Sequence, residues 1–368
     1  MDIEHKPGGE SPELPPGSFQ KFDFSFSGKA ADYFGIWIVN LLLSLVTLGI
    51  YTAWAKVRRL RYFYGNTWLD GHNFEYLAKP KQILIGRIIV VGALLIYNFL
   101  VQISPFFGIL IVPYLIAFPW LVNKSMAFNA RMTSYRNVRL NFAGSYWGAF
   151  KAFVLWPFLA LLTLGIMMPF ASRASANYIG NNLGYGKSRF QTKTELRTFY
   201  AHLGQSFLVL FFVTIVTGLF GMLIGFIAGI KGNVTSGVEF SDTANGLALG
   251  MVAGLFGLYS GVAIAYTFYS AGARNITFNS STLDGTHSFI STLGRWRYAW
   301  ILISNLLVSL VSLGLMMPWA AVRTWRYLAE NTKFIAAGSM DHFIDTTASE
   351  GNVGASEFFD IEGVDFGI

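Results

Sequence analysis

Long apolar stretches recur from one end of the chain to the other and alternate with short polar segments. Two of these stretches are long enough to contain a pair of helices each. They run from about residue 83 to 122 and from about residue 207 to 269, and a short link divides each of them into two segments. About twenty apolar residues are enough for an α-helix to cross a bilayer. The pattern therefore predicts a polytopic membrane protein whose helices are arranged in pairs.

Three other apolar segments align on a Leu-Gly pair, with Gly49, Gly165 and Gly314 in register. Aromatic residues then coincide five and thirteen positions after the glycine, namely Trp54, Phe170 and Trp319, and Tyr62, Tyr178 and Tyr327. In two of the segments a proline follows four residues after the glycine. Glycine commonly ends a helix and proline suits the first turn of the next one. Each segment therefore predicts a helix, a sharp turn and a second helix.

Short segments with strand character precede the helical pairs. They lie at 22–26, 74–76, 138–142, 189–192, and 276–278 together with 288–290. Two Asp-Gly sequences, Asp70-Gly71 and Asp284-Gly285, are preferred turns of β-hairpins. We therefore predict an all-α polytopic membrane protein of five repeated helical hairpins, with about ten membrane-embedded helices, each hairpin preceded by a short cytoplasmic β-segment.

This organisation gives one membrane domain between two tails. The five repeats cover residues 21–66, 67–130, 131–182, 183–273 and 274–335. The tails, residues 1–20 and 336–368, are acidic, and their composition predicts disorder. The first twenty residues lack the basic and apolar regions of a signal peptide, so we expect the N-terminus to stay in the cytoplasm.

Composition narrows the class of protein. Hydrophobic residues make up 53% of the chain and charged residues 13%, whereas soluble domains carry about 25% charged residues. A soluble fold is therefore disfavoured. Because the chain has no cysteine, disulfides, thiolate catalysis and cysteine-bound metals are excluded.

The net charge of +7 is distributed unevenly. Residues 21–333 contain 26 bases and 9 acids, whereas both tails are acidic. Basic residues gather on the cytoplasmic face of membrane proteins. Hairpins place 25 of these bases on one face, while a rival model with single spans at 33–51, 146–168 and 297–317 places basic clusters on both. We prefer the hairpins, with both termini in the cytoplasm.

This preference places two arginines at membrane depth. At about 1.5 Å per helical residue, Arg58 and Arg61 lie about 14 and 18 Å from Gly49. An arginine exposed to lipid there costs about 2.5 to 3.5 kcal/mol. Either these side chains face a wet cavity inside the bundle, or the first, third and fifth hairpins are shallow re-entrant structures near the cytoplasmic headgroups.

A set of basic residues is the candidate functional site. Arginines three residues apart lie on one helix face, and guanidinium groups bind phosphate and carboxylate in a bidentate manner. The set is a candidate for contacting a small anion or a lipid headgroup, and the alternative is that it only anchors helices to anionic lipid. It comprises Lys56, Arg58, Arg61, Arg173, Arg323 and Arg326.

Glycines at a spacing of four mark the fourth helical pair. They are Gly221, Gly225 and Gly229 on the first helix, and Gly246, Gly250 and Gly254 on the second. Small residues at this spacing let helix backbones approach closely. We therefore expect close packing here, either within the hairpin or between two copies of the chain.

The sequence has no recognisable catalytic motif. Its five histidines are dispersed without metal-ligand spacing, and neither a Walker loop nor a GxSxG sequence occurs. We therefore expect no enzyme activity, no cofactor and no metal. Nucleic acid is disfavoured as a partner, because the basic residues are interleaved with apolar helices.

Three sequence blocks carry a resemblance to a known family. FSFSG from Phe24, TLGIYTAWAKVRRLRY from Thr47 and TWLDGHNFEY from Thr67 resemble the YjgN family of bacterial inner-membrane proteins, a domain-of-unknown-function family. The likeness covers roughly residues 20 to 335. It implies a bacterial plasma-membrane location and no established activity, so it assigns no functional residue.

Two functional hypotheses remain at this stage. In the first, the helices form a basic cavity open to the cytoplasm that handles a small anion or an anionic lipid, as a transporter or channel. In the second, the protein is a membrane scaffold that recruits a cytoplasmic partner through its β-segments and acidic tails. Anionic membrane lipids are expected partners in both.

Overall fold

The computed structural model describes the backbone of residues 19–235 and 240–351, and the side chains of residues 228–247, 249 and 348–351 lie outside the description. The described strands are β1 (Phe19–Asp23), β2 (Ser25–Phe26), β3 (Thr67–Leu69), β4 (His72–Tyr76), β5 (Thr133–Tyr135), β6 (Val138–Phe142), β7 (Leu183–Tyr185), β8 (Ser188–Thr192), β9 (Ser281–Leu283), β10 (His287–Ser291) and β11 (Thr332–Ala337). The described helices are α1 (Ala30–Val46), α2 (Thr52–Gly65), α3 (Pro80–Ile103), α4 (Ile111–Arg131), α5 (Tyr146–Phe150), α6 (Trp156–Leu162), α7 (Met168–Asn182), α8 (Leu196–Thr235), α9 (Phe240–Asn279), α10 (Arg295–Val311), α11 (Met317–Glu330) and α12 (Met340–Gly351).

The strands form one antiparallel sheet that is nearly closed into a barrel. Their order is β1-β11-β10-β9-β8-β7-β6-β5-β4-β3-β2. Strands β1 and β2 belong to one extended segment interrupted only at Phe24, yet β1 pairs with β11 and β2 pairs with β3. This segment therefore joins the two edges of the sheet, which would otherwise expose unpaired main-chain groups.

Tight turns join the strands in pairs at one end of the barrel. In three of these turns both central residues have a positive φ: Asp70-Gly71 (47° and 71°), Arg136-Asn137 (47° and 63°) and Asp284-Gly285 (56° and 70°). Such turns match the twist of the two strands that they connect. Each helical pair runs from the end of an even-numbered strand to the start of the next odd-numbered strand. All helical pairs therefore leave the barrel at the end opposite to the turns.

Aromatic and aliphatic side chains fill the barrel. Its buried cluster includes Leu69, Tyr135, Val138, Tyr185, Leu283 and Phe334. The Tyr135 hydroxyl donates to the Leu69 carbonyl at 2.7 Å, and the Tyr185 hydroxyl donates to the Tyr135 carbonyl at 3.0 Å. Burial raises the pKa of both phenols, so they stay neutral hydrogen-bond donors.

Helix α12 closes the barrel at the end that carries the turns. Phe343 and Ile344 pack against the buried cluster, and Asp341 pairs with Arg136 at 2.7 Å. The Phe343 ring lies 4.3 Å from the ring of His287. The barrel is therefore a filled platform for the helices rather than an open lumen.

Most of the two predicted tails, residues 1–18 and 352–368, lies outside the described residues. The predicted boundary at residue 336 falls inside β11, and Met340–Gly351 form helix α12.

Four described helical segments are long and apolar enough to cross a membrane. They are Pro80–Ile103, Pro105–Arg131, Leu196–Ile227 and Gly250–Asn279. The first two contain α3 and α4, and the other two belong to α8 and α9. Two further segments, Ala30–Val46 and Tyr146–Leu162, are apolar but shorter.

The prediction of an all-α protein with ten membrane-embedded helices is therefore wrong. The connections between the helices pair into an eleven-stranded sheet, and four described helices rather than ten qualify as membrane spans. Nor are the helical pairs copies of one unit, because α8 has 40 residues, α1 has 17, and a π-helical segment, Lys151–Leu155, interrupts the third pair.

The sheet escaped prediction because most of its strands have only two to five residues, too few for a clear alternation of apolar and polar positions. Residues 276–278, which we predicted to form a strand, lie within α9.

The three short helical pairs reverse direction at the Leu-Gly sequences. After α1, the Gly49 N–H donates to the Ser44 carbonyl at 2.7 Å, which is the long hydrogen bond of a Schellman helix end. Leu48 occupies the left-handed position of this motif, with φ of 50°, and Leu164 and Leu313 have the same φ. A residue other than glycine costs about 1 to 2 kcal/mol in this conformation.

Candidate functional site

Three of the candidate bases hold the connections between strands and helices. Each donates to a main-chain carbonyl where a strand gives way to a helix: Arg61 to Ala78 at 3.1 Å, Arg173 to Thr194 at 3.2 Å, and Arg326 to Gly28 at 2.8 Å. Arg61 also donates to the Tyr76 carbonyl at 3.3 Å. These guanidinium groups therefore fix helices α2, α7 and α11 to neighbouring segments of the barrel.

Arg323 is engaged between the two helices of the fifth pair. It donates to the Ser304 hydroxyl at 2.7 Å and to Asn305 Oδ1 at 3.1 Å, and it lies 5.0 Å from the Trp319 ring centre. Asn305 in turn donates to the hydroxyl of Thr324 at 2.9 Å. This network joins α10 to α11, so the Arg323 guanidinium already has protein partners.

Arg58 is placed differently. In the part of the chain that the structure describes, its guanidinium has neither a hydrogen-bond nor an ion-pair partner. Asn40, which matches Asn305 when the Leu-Gly pairs are aligned, is buried with its Oδ1 atom unpaired. In the fifth pair, Arg323 is bonded to Asn305. In the first pair, the corresponding Arg58 and Asn40 are not bonded to each other, so the Arg58 guanidinium is available to a ligand.

Arg58 lines a cleft between α1 and α2. The cleft has a volume of about 640 Å³ and is also lined by Asp32, Gly35, Ile36, Val39, Arg61 and Tyr62. The Tyr62 hydroxyl donates to the Lys29 carbonyl at 2.7 Å, and burial raises its pKa. A side chain added at Gly35 would meet no atom within 4 Å, so this wall is open.

The cleft is amphipathic. Arg58 supplies the geometry that binds a phosphate oxygen pair, and the exposed Asp32 supplies an acceptor for a hydroxyl or an amine. Ile36 and Val39 provide an apolar wall on α1. Chemically, the arrangement suits a ligand that carries a phosphate at one end and a hydrocarbon chain at the other.

A second cleft lies on the other side of α2, against the fifth helical pair. Its volume is about 410 Å³, and its lining includes Arg59, Leu302, Leu306, Met317, Trp325 and Leu328. The Arg59 guanidinium lies 5.9 Å from the Phe63 ring centre. Helix α2 thus presents an arginine to a cleft on each of two faces.

Lys56, in the second turn of α2, is half-buried. Burial and the positive charge of Arg87 lower its pKa. Arg87 lies on α3 and donates to the hydroxyl of Thr52, just after the first Leu-Gly turn. This hydrogen bond therefore fastens the first helical pair, near its tip, to α3, the first described helix long and apolar enough to cross a membrane.

The predicted glycine stripe lies on α8 and α9. A Cβ on Gly221 would lie 2.6 Å from the Cβ of Ala253, and Gly250 lies against the Gly221 carbonyl. A Cβ on Gly254 would meet no atom within 4 Å. Gly225 lies on α8, whereas the surroundings of Gly229 and Gly246 are outside the described side chains.

The predicted Asp-Gly turns lie at the end of the barrel that faces away from the helices. Asp70 and Gly71 join β3 to β4, and Asp284 and Gly285 join β9 to β10. Asp70 lies 3.8 Å from Arg136, and its pKa is raised by burial and by the charge of Asp341. These turns contribute to the closed barrel end rather than to the basic clefts.

Sequence reasoning missed Arg59, the part played by Asp32 in the cleft, and the Arg136–Asp341 ion pair. Arg59 follows Arg58 directly and lies outside the spacing of three that marks the candidate arginines. Arg136 and Asp341 are more than 200 residues apart, so no local pattern relates them. Among the described residues, no group of three or more histidine, aspartate or glutamate side chains is placed to hold a metal ion.

The fold is that of a membrane protein. Two pairs of apolar helices are long enough to cross a bilayer, they extend from a filled barrel, and a cleft lined by basic residues lies beside them. The chain belongs to the DUF898 family, described as bacterial protein of unknown function, whose model matches residues 21–361.

Its relatives carry a membrane name. The chain is 26% identical over 348 residues to Inner membrane protein YjgN of Salmonella typhimurium (strain LT2), covering 84% of this chain and 87% of that protein. It is 23% identical over 360 residues to Inner membrane protein YjgN of Escherichia coli (strain K12), covering 86% and 89%. The resemblance to the YjgN family is thus confirmed. No solved structure matches the chain.

Proposed function

We propose that the protein is a carrier of anionic phospholipid in the bacterial inner membrane, and that it takes the lipid phosphate at Arg58. The observation that carries this proposal is an exposed guanidinium, without a partner in the described part of the chain, beside an apolar wall. Ile36 and Val39 would contact the acyl chain, and Asp32 would accept a hydrogen bond from a headgroup hydroxyl. Phosphatidylglycerol has both the phosphate and the hydroxyl.

A channel for a small anion has less support. Such a channel needs a polar path, but the barrel below the helices is filled by Tyr135, Tyr185, Phe334 and their neighbours and is closed by α12. A scaffold that recruits a partner through the acidic C-terminal segment also has less support, because Asp341, the first acid of that segment, is paired with Arg136.

We further propose that the barrel and both termini face the cytoplasm and that the chain crosses the membrane several times. The support is the positive-inside rule, because the strands and the connections between strands and helices carry many basic residues, whereas the link between α3 and α4, residues 104–110, carries none.

The proposal is tested with Arg58→Gln, and Arg323→Gln serves as the matched control. The two arginines occupy the same position after their Leu-Gly turns, but only Arg323 has protein partners. The purified full-length protein is placed in nanodiscs of phosphatidylglycerol and phosphatidylcholine, and bound phosphatidylglycerol is measured by native mass spectrometry. We expect at least a fivefold loss of bound lipid for Arg58→Gln and less than a twofold change for Arg323→Gln.

Two further measurements separate the ligand sources. Inorganic phosphate at millimolar concentration should not displace the lipid, since it lacks the acyl chain that contacts Ile36 and Val39. Transfer of fluorescent phosphatidylglycerol between donor and acceptor vesicles should slow with Arg58→Gln. Equal lipid binding and equal transfer in both variants would rule the proposal out.

A further inference from the structure

The tips of the three short helical pairs expose the most hydrophobic part of each pair. Leu48, Leu164 and Leu313, at the points where the chain reverses, are 94%, 89% and 93% exposed. The flanking residues Val46, Leu161 and Val311 are also largely exposed. Single exposed leucines are common on soluble surfaces, but three apolar tips of this kind require an apolar environment.

The backbone conformation of these leucines is a second, independent indication that the tips lie in an apolar environment. Each occupies the left-handed position of a Schellman helix end, with φ of 50°. The pattern is complete, because Leu48, Leu164 and Leu313 donate to the carbonyls of Leu45, Leu161 and Leu310 at 3.1 Å. Glycine or asparagine normally occupies this position, since a larger side chain is strained there. In water, leucine at this position is disfavoured by backbone strain and also by exposure of its apolar side chain. In hydrocarbon the strain remains, but the leucine side chain is favoured by its surroundings.

Several main-chain polar groups of the tips are paired within the protein. Thr47 donates through its hydroxyl to the Leu43 carbonyl at 2.7 Å and accepts from the Tyr51 N–H at 3.0 Å. Thr163 makes the same pair of bonds, with the Leu159 carbonyl and the Met167 N–H. Ser312 accepts from the Met316 N–H in the same way but donates to the Ser309 carbonyl, three residues earlier. A turn in water can leave such groups to the solvent, whereas in hydrocarbon each group that is paired within the protein avoids a cost of several kcal/mol.

We infer that these three leucine-tipped turns are inserted into the hydrocarbon of the bilayer leaflet nearest the barrel and end within that leaflet. The partner of this surface is the bilayer itself. The helices of the three short pairs do not cross, and among the described helices only the two longer pairs span the membrane.

The charges set the depth of insertion. The first base after each turn is Lys56, Arg173 or Arg323, seven to nine residues beyond the glycine. At about 1.5 Å per residue these charges lie about 10 to 14 Å below the tip. One leaflet contributes about 15 Å of hydrocarbon. With Lys56, Arg173 and Arg323 at headgroup level, the tips therefore reach toward the middle of the bilayer but not into the far leaflet.

Helix α3 gives an internal scale. Its Arg87 donates to the Thr52 hydroxyl, three residues beyond Gly49, so the first tip lies near the level of Arg87. From Arg87 to the end of α3 at Ile103, sixteen further residues extend about 24 Å. The first tip therefore stops far short of the membrane face that α3 reaches.

The natural absence of cysteine makes a labelling test direct. Leu48→Cys, Leu164→Cys and Leu313→Cys are made one at a time in the full-length chain and reconstituted into vesicles. We expect each cysteine to resist a membrane-impermeant maleimide added from either side. A nitroxide attached at each position should be accessible to oxygen, protected from a water-soluble nickel reagent, and located 8 to 18 Å below the phosphate level on the barrel side, a range of about one leaflet.

Two controls report the aqueous phases. Phe106→Cys, in the link between the spanning helices α3 and α4, should react only from the side opposite the barrel, and His72→Cys, in the barrel, only from the barrel side. Modification of the tip cysteines from the far side would show that the short pairs cross, and modification from the barrel side would show that they stay in water. Either result overturns the inference. If a leucine variant fails to fold, Val46→Cys and Val311→Cys report the same depth. The result is independent of lipid binding at Arg58.

Discussion

At the scale of single residues, Arg58 and Arg61 show how two neighbouring arginines acquire different roles. Both lie on the same face of α2, but Arg61 reaches the carbonyls of Tyr76 and Ala78 whereas Arg58 meets no described partner. The spacing in the sequence fixes the shared face. The difference comes from the strand-to-helix connection that lies beside Arg61.

This difference predicts that replacing Arg61 lowers stability, whereas replacing Arg58 leaves stability almost unchanged and weakens lipid binding. Arg61→Gln removes hydrogen bonds to two carbonyls and should lower the free energy of unfolding by about 1 to 2 kcal/mol. Arg58→Gln should change it by less than about 0.5 kcal/mol, because no described contact is lost. Thermal unfolding of the two variants in the same detergent measures the difference, and equal destabilisation would contradict these roles.

The sequence allowed the candidate arginines to be chosen but not sorted. Their positions after the Leu-Gly pairs follow from alignment alone, as does the match between Asn40 and Asn305. Their partners do not, because Arg326 bonds to Gly28 almost 300 residues away. The left-handed conformation of Leu48 was not predictable for a different reason. A glycine follows it, and glycine is the residue expected to take the left-handed position.

At the scale of elements, helix α12 packs against a buried histidine. His287 is 3% exposed, its Nδ1 accepts from the Ala337 N–H at 3.1 Å, and its ring lies against Phe343 and Phe334. Burial lowers its pKa, an effect that the Asp284 carboxylate opposes. His287 is therefore neutral in the folded barrel and binds a proton more readily in the unfolded chain.

It follows that acid should weaken the barrel. The stabilisation from neutral His287 is fully present above its unfolded pKa of about 6.5 and is lost as the pH falls below that value. Between pH 7.5 and 5.5 we expect a loss of up to about 1.4 kcal/mol, measured as the change in thermal unfolding. His287→Phe should remove this part of the pH dependence. An identical decline in both proteins would contradict the role of His287.

The barrel itself was only partly predictable. The Asp-Gly sequences and the segments at 74–76, 138–142 and 189–192 lie in strands or at turns of the sheet. The Arg136-Asn137 turn contains no glycine and gave no signal, and Ile276 and Phe278 have β-forming side chains but continue α9. Strands this short are determined by their partners, not by their own composition.

At the scale of the whole molecule, one filled barrel supports helical pairs of two lengths. Hydropathy predicted a membrane protein, because it depends on composition summed over many residues. Closure of the sheet was beyond reach, since it joins β1 near the N-terminus to β11 more than 300 residues later. The number of spans was overestimated because α1 and α10 are apolar, although each has only 17 residues.

The central claim is that this barrel lies on one side of the bilayer, with two helical pairs crossing and three ending inside the nearer leaflet. Cryo-electron microscopy of the full-length protein in nanodiscs that contain phosphatidylglycerol tests it most directly. The account predicts that Leu48, Leu164 and Leu313 lie within the barrel-side half of the lipid density while the Phe106 region emerges on the far side. A map in which all five pairs emerge on the far side, or in which the short pairs lie outside the lipid density, would contradict it.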